Sequence, residues 1–120
     1  MKRKIMEERL NLLESQKVIG RKAAEAVRIA MNVLHSEGAV IDEERAVSFF
    51  THLAMAVQRL EEERKEEIRL DPAIYQEIQE QESFGLAKKL LEKLSEKTGL
   101  VFPECEKEFL LVHLCTLLEL

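Results

Sequence analysis

The chain has 120 residues, 46% of them hydrophobic and 34% charged, with 18 Lys+Arg against 23 Asp+Glu for a formal net charge of −5. This length accommodates one hydrophobic core, the apolar share excludes a disordered tail, and no apolar run reaches the roughly 18 residues that cross a bilayer. The negative balance argues against direct nucleic-acid binding, which draws most of its affinity from neutralising phosphates.

Four glycines and two prolines are few for a β-rich domain, which spends them on turns. The expected class is therefore all-α, a compact bundle of five to six helices. The basic start Met1-Lys2-Arg3-Lys4 leads into Glu7-Glu8 without an apolar signal core. Cys105 and Cys115 fall on one expected helix about 15 Å apart, too far to bridge. Reduced thiols and a cytoplasmic location follow as expectations.

Ile5, Met6, Leu10 and Leu13 recur at helical spacing in a charged first segment, an N-terminal helical extension over residues 1–19. The main domain is expected over 20–120. Gly20 marks a kink or junction. Ala23, Ala24, Val27, Ala30, Met31 and Leu34 form the next apolar stripe, and Gly38 supplies a left-handed helix end. Asp42 is suited to cap a third helix, with Glu43 and Glu44 in its positive first turn. That helix carries Val47, Phe50, Ala54 and Val57, then enters the charge run Glu61 to Glu67, read as a solvated helix end with i,i+4 pairs. Asp71-Pro72 is a cap followed by proline at the first helical position, opening a short helix to about Glu82. Phe84, Ala87, Leu90, Leu91 and Leu94 form another stripe, stopped by Thr98-Gly99. Pro103 opens a last helix with Phe109, Leu110, Leu114, Leu117 and Leu118.

Three histidines are available for chemistry. His35 precedes Ser36-Glu37-Gly38 near a helix end, where a cation suits the dipole. His52 and His113 each interrupt an apolar helical stretch, and each has a charged residue seven positions away, Arg59 after His52 and Glu106 before His113. Seven residues are two turns, about 10.5 Å of rise, so contact along one helix needs a long side chain reaching back. An arginine can do so. Its guanidinium would stabilise a phosphoryl group on the ring and keep the imidazole in its neutral, nucleophilic form.

The His52-x6-Arg59 element, followed by Pro103-x-x-Glu106-x6-His113, resembles the phosphotransferase-system regulation domain, the PRD. The Asp71-Pro72 start, the Tyr75 region and the stretch from Leu86 to Gly99 are similar to that family's middle portion, so the resemblance spans roughly residues 20 to 119. It implies a five-helix bundle that forms a homodimer and is regulatory, not an enzyme. It also implies phosphorylation of His52 and His113 by the histidine phosphocarrier protein or a sugar-specific enzyme IIB component, with Arg59 and Glu106 flanking the sites. In the family, phosphorylation shifts dimer geometry and switches an attached RNA-binding antiterminator or DNA-binding activator. This chain reads as one such domain without an output module, so a trans-acting regulatory partner is expected. No cofactor is expected.

Other readings compete for the same residues. A helical dimerisation or ligand-binding module would use both histidines as hydrogen-bonded core residues. A metal site could draw on His52, His113, Glu106 or Glu108, yet no helix offers Glu-x-x-His or His-x-x-x-His spacing, and no metal is assigned. Cys105 as a nucleophile is opposed by Glu104, Glu106 and Glu108 around it. A glycine-rich phosphate loop is absent.

Overall fold

The computed structural model describes residues 3–38, 43–63 and 69–118. Among them run α1 (Arg3–Ser15), α2 (Arg21–Ser36), α3 (Glu43–Glu61), α4 (Pro72–Gln79), α5 (Ser83–Thr98) and α6 (Glu104–Leu118), with no strand. The all-α bundle expected from composition is what forms.

Local chemistry sets the helix ends. Asp71 accepts from the backbone N–H of Ala73 at 2.9 Å and Pro72 opens α4, so an orphan donor of the first turn is satisfied. Gly38 (φ 71°) and Gly99 (φ 73°) both take the left-handed conformation that a Cβ would disfavour. The Thr98 hydroxyl donates to the Leu94 carbonyl and accepts from the Leu100 N–H. Gly20 is a junction rather than a kink: its extended backbone precedes α2, and its N–H donates to Gln58 Oε1 at 2.7 Å. The short fourth helix stops at Gln79, not Glu82. The chain turns there and brings Phe84 edge-on to Tyr75, ring centroids 6.2 Å apart. The Asp42 cap lies outside the described residues. So does most of the charge run, although Gln58 donates to Glu62 at 2.9 Å and Lys22 pairs with Glu61 at 3.0 Å.

Four helices close a ring: α2 packs on α3, α3 on α6, α6 on α5, and α5 back on α2. Phe49, Phe50, Leu53, Val57, Val27, Leu114 and Leu117 fill its interior and are almost wholly buried. The two remaining helices flank this ring, α1 against α2 and α4 against α6. Because α6 touches three neighbours, it is apolar around much of its circumference, with Leu110, Leu111, Leu114, Cys115 and Leu117 all buried. Neither cysteine is in a disulfide.

The first helix belongs to the same core. Met6 and Leu10 are 0% exposed, and Arg28 on α2 reaches Glu7 at 3.0 Å and Glu14 at 3.7 Å. Arg3 donates to Asn32 at 2.6 Å. Apolar burial holds α1, while the partly exposed ion pairs orient it and add little energy. Replacing Leu10 by Ala is expected to cost about 2–5 kcal/mol. Replacing Leu12, 59% exposed on the same helix, is expected to change stability by less than about 0.5 kcal/mol. Urea unfolding of the two variants checks the contrast.

Candidate functional site

The site is a seam between α3 and α6. His52 on α3 stacks on His113 of α6, with ring centroids 4.0 Å apart and planes inclined by 22°. Seven residues further along α3, Arg59 meets Glu106, which lies seven residues back along α6. Nε of Arg59 donates to one carboxylate oxygen at 2.9 Å and Nη2 to the other at 2.8 Å. Going forward on one helix while going back by the same step on the other is the register of antiparallel neighbours. The backbone agrees, since Arg45 near the start of α3 donates to the Thr116 carbonyl near the end of α6 at 3.2 Å. The seam thus carries two rungs, separated by two turns or about 10.5 Å along the axes.

Between the rungs a cleft of about 210 Å³ is lined by His52, Ala56, Arg59, Glu106, Phe109, Leu110 and His113. Ala56 and Phe109 occupy the levels between the rungs, and the single methyl of Ala56 leaves the space a larger residue would fill. His52 is exposed and His113 half-buried, so both rings line a cleft that opens to solvent. All four residues singled out from the sequence therefore meet in one place. Ala56, Phe109 and Leu110 were not singled out as site residues, yet i+4 spacing from His52 and i−4 from His113 is the helical signal that marks the first two. His35 lies apart, exposed in the last turn of α2. Among the described residues no group of three or more His, Cys, Asp or Glu could hold a metal ion.

The electrostatics differ from expectation in one respect. The reach of Arg59 back along its own helix was the anticipated contact; its guanidinium is instead engaged across the seam by Glu106. A bidentate fork on a carboxylate is among the strongest neutralising contacts available to arginine, and an adjacent helix presents the carboxylate at the same level. Glu106 is only 5% exposed, so this pairing is what allows its charge to be buried. Both charges also suit their helices, Arg59 in the last turn of α3 and Glu106 in the first turn of α6. The His113 ring is held below the ordinary imidazole range first by burial, then by charge on the adjacent His52. A charged ring stacked against a second imidazole meets repulsion whenever its neighbour is also charged, so the stack adds to what keeps the His113 ring neutral.

Two stability predictions follow. The unfolded chain protonates His113 near the ordinary value of 6.5, whereas the folded chain requires a lower pH. Below about 6.5 the unfolded state therefore binds more protons, and stability is lost as pH falls through that window. The Tm of the wild type is expected to drop between pH 7.5 and 5, and His113→Asn to flatten that part of the profile. For the ion pair, Arg59→Ala leaves the Glu106 carboxylate buried and alone, at an expected cost of about 3 kcal/mol. An Arg59→Leu, Glu106→Leu double variant is expected to recover most of that loss in a denaturant titration.

These two rungs can also be set against known proteins. No curated protein and no solved structure matches the chain. A family model does: that of the PRD domain, over residues 28–116. The matched span starts inside α2, ends inside α6, and contains His52, Arg59, Glu106 and His113 along with the cleft between them. The described residues also hold no helix long and apolar enough to cross a membrane. With about three quarters of its length inside that match, the chain belongs to the PRD domain family, whose members are regulatory domains rather than catalysts.

Proposed function

We propose that this PRD domain accepts a phosphoryl group on His52, with His113 as a second acceptor, and reports the state of a sugar phosphotransferase system to a transcription regulator. The observation that carries this reading is the stacked histidine pair in a cleft open to solvent, with a guanidinium lining the same cleft. A neutral ring nitrogen with a free lone pair attacks phosphorus on a donor phosphohistidine. The new N–P bond forms here as the donor's N–P bond breaks; the acceptor ring gives up its N–H proton and the donor ring regains one. Neutral imidazole is the reactive form, and the stacking and half-burial of His113 favour it. The product carries about −2 of charge, which Arg59 is placed to stabilise.

Family membership alone supports the remaining parts of the proposal. These are a homodimer, a phosphorylated histidine carrier or enzyme IIB component as donor, and a cytoplasmic setting. In this scheme the domain is the substrate of phosphoryl transfer and catalyses nothing.

Incubation with phosphorylated carriers, followed by mass spectrometry of acid-labile phosphate, tests the proposal. Label is expected on the wild type, reduced in His52→Ala, and absent from the variant lacking both histidines. Arg59→Ala is expected to slow uptake by about 10²-fold, typical of losing one charge-stabilising donor. Absence of label across several carriers would return the histidines to a purely structural role.

A further inference from the structure

The Arg59–Glu106 rung has a consequence for regulation of the same site, and the inference rests on the phosphoacceptor reading above. We propose that Glu106 is the resident anion of Arg59, which a phosphoryl group on the histidine rung displaces, so that phosphorylation releases the start of α6 from the end of α3.

Charge at the seam carries the argument. The cleft is lined by one guanidinium and one carboxylate beside two imidazoles, so with neutral rings its formal charge is zero. A phosphoryl group adds about −2 to a seam where the cationic fork already holds both oxygens of Glu106. One planar fork cannot serve two anions on opposite sides with the same N–H groups. The dianion carries more charge than the carboxylate and has three acceptor oxygens, so it outcompetes Glu106 for those donors.

Geometry favours the exchange. Helical side chains lean toward the N-terminus of their own helix. The Cα–Cβ bond of Arg59 is therefore tilted along α3 toward His52, and the flexible arginine stem spans most of the two turns between them once it leaves Glu106. The Cα–Cβ bond of Glu106 is tilted along α6 the other way, away from His113, and its shorter side chain cannot follow. Once deserted, its carboxylate is buried and unpaired, a state that costs several kcal/mol unless it reaches water. Water is reached by moving the first turn of α6, and the dipole there still favours the negative charge. The displaced element is the one that the Leu100–Pro103 stretch links to α5. A local charge exchange thereby becomes a shift of one helix end.

Hydrogen–deuterium exchange of the full chain, with and without carrier-driven phosphorylation, reads the release directly. Amides of residues 107–112 in the wild type are expected to exchange about tenfold faster when phosphorylated. Glu106→Gln is expected to take up phosphate about tenfold faster than wild type, with no further gain in exchange on phosphorylation. A merely structural role for Glu106 predicts the opposite sign, since loosening the seam would slow uptake. If phosphorylated wild type keeps its protection at 107–112, or Glu106→Gln responds as wild type does, the displacement is wrong while the acceptor assignment stands. Should neither protein take label, both fall together. Should Glu106→Gln fail to fold, the wild-type comparison alone decides.

Discussion

The structure depends on the antiparallel contact between α3 and α6. A parallel or staggered crossing would leave His52 and Arg59 facing apolar positions of the last helix, and neither the ring stack nor the ion pair could form. The contact is held from both sides, because α3 and α6 are each members of a closed ring of four helices whose interior is filled by Phe49, Phe50, Leu53, Val57, Leu114 and Leu117. Dense apolar packing tolerates little sliding. It therefore fixes the register that sets two polar rungs at matching levels on the open side of the seam.

That placement resolves a conflict common to regulatory sites. Charged and titratable groups are costly in a core, yet a switch must be coupled to the core to be felt. Here both rungs lie at the edge of the bundle. The carboxylate is buried but answered by a fork of two hydrogen bonds, and one ring is half-buried while its partner faces solvent. Ala56 keeps the space between them clear. The result is a partly desolvated cleft, open to solvent on the His52 side, in which one guanidinium and one carboxylate already answer each other.

The flanking helices contribute differently. The first helix lies N-terminal to the span matched by the family, yet Met6 and Leu10 are as deeply buried as residues of the ring, so it is integral to this core. On the other side, α4 packs on α6, and Tyr75 meets Phe84 at the turn into α5. Lys93 on α5 bonds Glu37 just beyond the end of α2, a surface contact that pulls the Glu37 carboxyl below its ordinary range and closes the ring opposite the cleft.

Helix count and several helix ends were legible in the sequence, because they follow from local chemistry: an Asp-Pro cap at 71–72, glycines at 38 and 99 free to take positive φ, and apolar stripes at helical spacing. His52, Arg59, Glu106 and His113 could also be read as a set, since equal seven-residue intervals on two segments encode positions on one face of each helix. What a one-dimensional pattern cannot encode is which face of one helix meets which face of another. Arg59 accordingly looked like a neighbour of His52, when the carboxylate that holds it comes from a segment 47 residues away. Gly20 could be read as either a kink or a junction, and the choice rests on the Gln58 side chain that accepts from its N–H. Local propensities and spacings are properties of the chain itself, and they determined the elements and the candidate residues. The pairing of those residues arises only when a shared apolar core brings distant helices together at a fixed register, and that was decided by the tertiary structure alone.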